Sequence, residues 1–147
     1  MDELQKIDDW LAALLANLEP AARTRMLREV AQDVRRIQQQ NITAQRAPDG
    51  TAWEPRRMTA RTKQGRIRRK MFTKLKTAKY LKAKANAECA EISFISNVQR
   101  IARVHHFGLR EKINNSGIKV KYNKRTLLGI NEEVKLNIVQ SLLMWFD

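Results

Sequence analysis

The chain has 147 residues, 43% of them apolar and 30% charged, which fits one globular domain and excludes disordered and low-complexity classes. Lys and Arg number 29 against 15 Asp and Glu, a formal charge of +14, so an anionic partner belongs in any account of its work. No apolar run approaches the ~20 residues of a spanning helix, Met1-Asp2-Glu3-Leu4 opens no secretory signal, and the single Cys89 excludes an internal disulfide, which together predict a soluble protein of a reducing cytoplasm.

Leu4, Ile7, Trp10, Leu11, Leu14, Leu15 and Leu18 recur at steps of three and four and predict a helix over 3–18. Asp2 and Glu3 suit its positive end. Met26, Leu27, Val30, Val34 and Ile37 predict a longer helix over 21–42, with Arg23, Arg28, Arg35 and Arg36 off the stripe. The short link Leu18-Glu19-Pro20 makes residues 1–45 a helical hairpin. Pro48-Asp49-Gly50 then signals a turn, because proline presets φ, aspartate bonds nearby backbone and glycine accepts positive φ. Trp53 is a large anchor that pins this loop to the core, a role its size favours over ligand stacking. Residues 56–70 read as irregular, and 71–86 as helical with the sparse apolar points Met71, Phe72, Leu75 and Leu81. Residues 46–86 are therefore a loop followed by a basic, mobile segment.

Residues 87–96 read as a strand, with Cys89 as a small buried residue. A helix over 97–107 is capped by Asn97 and ended by Gly108. Residues 109–117 form a polar loop, 118–122 a second strand, and 125–130 a third short strand or extended approach. Asn131-Glu132-Glu133 open a last helix whose core face is Val134, Ile138, Val139, Leu142, Leu143 and Phe146. Trp145 lies off that stripe and is a candidate contact for another subunit. Helices segregated from a small, mostly antiparallel sheet make an α+β domain spanning 1–147, with 87–147 as its strand-helix-strand-helix part.

The charge is concentrated. Residues 55–87 hold thirteen bases and no acid, while residues 1–54 are slightly acidic. Arg56, Arg57, Arg61, Lys63, Arg66, Arg68, Arg69 and Lys70 are the candidate assembly or nucleic-acid contacts. Nucleic acid, an acidic protein face and an anionic membrane surface are the partners that such a run favours. Few aromatics interleave with it, only Phe72 and Tyr80, and no zinc-finger or RNA-recognition pattern appears, which limits any nucleic-acid contact to non-specific binding. His105 and His106 are adjacent and point about 100° apart on a helix, so they do not form a chelating pair. Their expected role is polar, as imidazolium groups at a helix C-terminus. No catalytic carboxylate pair, nucleophile motif or phosphate loop is present, so neither an enzyme, a cofactor nor a metal site is expected.

Three segments carry a resemblance. They are Arg46-Ala47-Pro48-Asp49-Gly50-Thr51-Ala52-Trp53, His105-His106-Phe107-Gly108, and Arg125-Thr126-Leu127-Leu128-Gly129-Ile130 before an acidic helix start. In this order and spacing the chain resembles the phage virion morphogenesis family, the tail completion proteins of contractile-tailed phages and prophages. The matching positions are Pro48, Asp49, Gly50, Trp53, His105, Gly108, Arg125, Leu127, Leu128 and Gly129. The resemblance implies a late structural role at the head-proximal end of the tail, in finishing the tail and joining it to the filled head. It implies tail and neck proteins as partners, assembly in the host cytoplasm and residence in the virion. It names no catalytic residue, cofactor, small-molecule substrate or membrane. A homo-oligomeric ring around DNA would give the basic segment its partner. The reading of a different class is a small cytoplasmic protein that binds nucleic acid non-specifically.

Overall fold

Pro20, fixed at a φ that suits a first helical turn, opens the helix around which the rest is arranged. In this computed structural model, which describes residues 3–16, 18–55, 70–112 and 119–145, eight elements follow in order. They are α1 (Glu3–Leu15), α2 (Pro20–Thr43), β1 (Leu81–Ala85), β2 (Ala90–Phe94), α3 (Ser96–Phe107), β3 (Arg110–Lys112), β4 (Lys119–Lys121) and α4 (Glu132–Trp145). The class is α+β.

One long face of α2 builds the first half of the core. Met26, Leu27, Val30, Val34 and Ile37 pack with Val134 and Leu142 of α4, and Trp10, Leu11 and Leu18 lean on the same cluster. Each such side chain contributes about 1.5–3 kcal/mol on burial. A second cluster gathers Ile42 at the end of α2 with Trp53, Leu75, Leu81, Phe94, Ala102 and Leu127. The hairpin expected for residues 1–45 is loose. A cleft of about 430 Å³ separates Leu4, Ile7 and Leu11 of α1 from Leu27, Val30 and Val34 of α2.

The strands form two antiparallel ribbons rather than one sheet. Leu81 pairs with Phe94, Ala83 with Ile92 and Ala85 with Ala90 in the first; Arg110 pairs with Lys121 and Lys112 with Lys119 in the second. Residues 125–130 make no strand. The helix expected over 71–86 is also replaced. Isolated turns close at Phe72–Lys76 and Thr77–Leu81, and β1 begins at once. The alternation Leu81-Lys82-Ala83-Lys84-Ala85 explains the change, since period two turns Leu81 inward and leaves Lys84 exposed.

Other expectations need correction. Cys89 is exposed, because the first ribbon turns through Asn86-Ala87-Glu88-Cys89. Asn86 Oδ1 accepts from the Glu88 and Cys89 N–H groups at 2.7 and 2.8 Å, which holds Cys89 in the turn rather than the strand. Asn97 does not cap α3; the helix starts one residue earlier after an extended Ile95, with no side-chain cap. On α4 the expected Val134, Ile138 and Leu142 do face the core, but the edge of the face differs. Leu143 is exposed, whereas Trp145 packs on the first cluster and donates its Nε1–H to Glu29 Oε2 at 2.8 Å. Phe146 and the Asn114–Gly117 turn lie outside the described residues. No helix of the described residues is long and apolar enough to cross a membrane.

Candidate assembly junction

The last turn of α2 ends in polar residues aimed inward. Gln38 and Asn41 are each 2% exposed, although they sit on the apolar face. Burying an amide without partners costs free energy; backbone meets both ends of Gln38, whereas Asn41 is met only at its oxygen and its buried Nδ2 has no partner among the described residues. Gln38 meets Gly129 with both ends of its amide: Nε2 donates to the Gly129 carbonyl at 2.8 Å, and Oε1 accepts its N–H at 3.3 Å. Asn41 Oδ1 accepts from Arg46 Nε at 3.2 Å, and its carbonyl accepts the Arg46 N–H at 3.1 Å.

Beyond α2 the chain reverses through Gln45, at φ 56. A non-glycine residue there is strained, and its side chain supplies compensation. Gln45 Nε2 donates to the carbonyls of Ile42 and Met71 at 2.8 and 2.9 Å, and Oε1 accepts the Met71 N–H at 2.6 Å. The expected turn follows. The Gly50 N–H donates to the Ala47 carbonyl at 2.9 Å, with Gly50 at φ 91. Asp49 Oδ1 accepts the Thr51 N–H at 2.9 Å, and this backbone bond is the main reason its carboxyl is held below the usual range. Trp53 takes the anchoring role expected of it. It is buried, meets Phe72 edge to face at 5.5 Å between ring centres, and donates its Nε1–H to the Thr126 carbonyl at 3.1 Å.

The second motif approaches from α3. Gly108 closes that helix in the left-handed region at φ 65. A Cβ there would sit 2.9 Å from the Lys124 backbone nitrogen, so the glycine also permits a close crossing. His105 lies between Phe72, which it meets edge to face, and Tyr122, whose ring is tilted against it, with ring centres 4.9 and 4.7 Å away, and its carbonyl accepts the Arg125 N–H at 2.8 Å. His106 Nδ1 accepts the Leu127 N–H at 3.2 Å. Only an unprotonated nitrogen accepts, and burial, followed by the Lys124 charge, lowers its pKa. The imidazolium role expected for His106 is therefore corrected to that of a neutral acceptor.

The third motif threads between these two. Arg125 is 5% exposed, and it donates from Nε to the Glu54 carbonyl at 2.9 Å and from Nη2 to the Pro55 carbonyl at 3.2 Å. Leu127 is fully buried and Leu128 partly so, both in the second cluster. Gly129 passes so close to Pro48 that a Cβ would lie 3.0 Å from its ring. Asn131 then donates from Nδ2 to the Pro48 carbonyl at 2.7 Å and accepts the Val134 N–H at 2.8 Å, capping α4 as expected.

The three motif segments thus come together in one interlocked junction, in which Asp49 and Gly50 shape the exposed turn and the other motif positions make the contacts between segments. The junction also grips both ends of the most basic run. Arg125 holds Glu54 and Pro55 where the chain leaves, and Gln45 holds Met71 where it returns. Lys70 is exposed beside that return point. Arg56, Arg57, Arg61, Lys63, Arg66, Arg68 and Arg69 lie outside the described residues. Sequence reasoning did not single out Gln38, Asn41 or Gln45. Their signal was amides placed on, or just after, an otherwise apolar helix face. Among the described residues, no group of three or more His, Cys, Asp or Glu side chains is placed to hold a metal ion. The junction offers interlocked backbone and matched polar pairs, not converging acid–base groups.

Comparison with known proteins agrees with the motifs. The sequence pattern of the phage virion morphogenesis family matches residues 2–147. Tail completion protein S of Escherichia phage P2 is 41% identical over 135 residues, covering 90% of each chain. No solved structure matches. With the match running through all three junction segments, the chain belongs to the phage virion morphogenesis family.

Proposed function

We infer that this chain is a structural protein of virion assembly that completes the phage tail. The likeness to a tail completion protein along nearly the whole chain carries the reading. The geometry agrees with it, because the motif segments lock three stretches of the chain together. A part that must present a fixed surface to neighbouring proteins needs such a lock. The role asks for no catalytic residue, cofactor or small-molecule substrate.

The finer reading places the chain at the head-proximal end of the tail, where it enables joining to the filled head. Its partners there are other tail and neck proteins, and it acts as a homo-oligomeric ring. It is assembled in the host cytoplasm and stays in the virion. The basic side chains of residues 56–84 face either the DNA in the lumen or an acidic neighbouring ring, while Leu75 and Leu81 within that stretch are core, and the junction sets where its most basic part leaves and returns. Support comes from charge: no acid interrupts the bases from Arg56 to Lys84, and self-repulsion of that size is relieved by an anionic partner. The test is the triple charge reversal Arg66→Glu, Arg68→Glu, Arg69→Glu in an infecting or induced phage. The expected outcome is folded protein with unjoined heads and tails. Normal particle yield would remove the segment from the joining step.

A further inference from the structure

Two exposed faces on α3 and α4 match each other. On α4, Leu136 is 60% exposed, Leu143 48% and Met144 76%. At about 100° per residue they lie on one side of the helix with Glu132, Glu133 and Gln140, opposite the buried Val134 and Leu142. This helix is therefore apolar on two sides, and α2 covers only one of them. A helix apolar on two sides is normally buried on both.

On α3, Arg100, Arg103 and Phe107 share an exposed side, and Phe107 is 57% exposed. The two faces carry opposite charge beside their apolar residues. The spacing also agrees. Glu132 precedes Leu136 by four residues and Arg103 precedes Phe107 by four, about 6 Å each at the helical rise. A partner helix laid parallel would set Leu136 on Phe107 and the two glutamates beside Arg103 at once. Within one molecule the helices serve different clusters, α4 the first and α3 the second. Among the described residues neither Glu133 nor Arg103 takes part in an ion pair.

We propose that the outer face of α4 docks on the Arg103–Phe107 face of α3 in a second copy of this chain. The two surfaces differ, so the contact is head to tail, and each copy keeps one surface of each kind for the next. Such contacts close into a ring where the rotation allows. The proposal deepens the ring reading above and rests on it.

The test is sedimentation velocity of the purified full chain over a concentration series, with Arg103→Glu and Glu133→Arg made separately. Wild type is expected to associate. Each variant alone sets like charges against each other, and is expected to associate about tenfold more weakly or not at all. In an equal mixture every contact between unlike variants carries an opposite-charge pair, so alternating copies are expected to regain association. Leu136→Lys, at an exposed site, is expected to abolish association with an unchanged unfolding midpoint. A wild-type chain that stays monomeric, single variants that associate like wild type, or a mixture that fails to recover would each overturn the interface. Joining of heads to tails in phage lacking the gene is scored independently, so losing the interface does not decide the tail-completion reading.

Discussion

Three glycines of the junction separate two physical effects, and replacing each by alanine measures them. At Gly50, φ is 91 and nothing lies within 4 Å of an added Cβ, so Gly50→Ala carries only the backbone penalty, ~1–2 kcal/mol. At Gly129 φ is unremarkable, but the Cβ would meet Pro48 Cγ at 3.0 Å. A proline ring can shift by a few tenths of an ångström, so this overpacking costs ~1 kcal/mol, the low end of its range. Gly108 combines both effects, with φ 65 and a Cβ 2.9 Å from the Lys124 nitrogen. That neighbour is backbone, and it is flanked by the Tyr122–Leu109 and Arg125–His105 hydrogen bonds, so it cannot yield alone. The sum for Gly108→Ala is ~2–5 kcal/mol. Urea unfolding of the three variants, compared at equal slope, gives the ranking. Gly108→Ala is expected to lose the most. Equal losses at Gly50 and Gly108 would refute the close crossing of α3 and the third motif.

Gln38→Leu keeps the bulk but strands the buried N–H and carbonyl of Gly129, and is expected to lose ~2–4 kcal/mol in the same urea assay. A loss below ~0.5 kcal/mol would mean that water or another group replaces the amide. His106 gives a pH dependence with a definite sign. Its folded pKa lies below the ordinary 6.5, so the unfolded chain takes up the proton more readily. The stabilisation from this site is whole above that value and is lost as pH falls through the lower folded value. Unfolding midpoints measured from pH 8 downward should show that loss in wild type and less of it in His106→Asn; identical slopes would contradict the acceptor role. Arg125→Met removes both carbonyl contacts at the start of the basic run and leaves every charge from Arg56 to Lys84 in place. It is expected to destabilise the fold and to weaken joining; a variant that folds and joins like wild type would show that the Arg125 grip on Glu54 and Pro55 does not matter.

The long-range lock explains what could and could not be read in advance. α2 and the turn at Pro48-Asp49-Gly50 were legible because their signals are local: a helical period, and three residues with fixed turn chemistry. Trp53 was legible as an anchor for its size alone. Its partner, the Thr126 carbonyl, lies 73 positions away and leaves no local trace. The Leu81–Ala85 strand did carry a local signal, its alternation, which sparse helical apolar points masked at Met71, Phe72 and Leu75. On α4 the difficulty was of another kind. The helix is apolar on both sides, so periodicity found Val134, Ile138 and Leu142 on the side that meets α2 but not where that face ends, and the expected assignments of Leu143 and Trp145 came out reversed. His106 was misread because the acceptor role depends on a backbone N–H that only the folded chain brings near.

Electron microscopy of a lysate from a phage or induced prophage that lacks this gene tests the central claim most directly. The tail-completion account predicts DNA-filled heads and unattached tails side by side, with joining restored by the wild-type chain supplied in trans. Intact, infectious particles in the absence of the gene would contradict it.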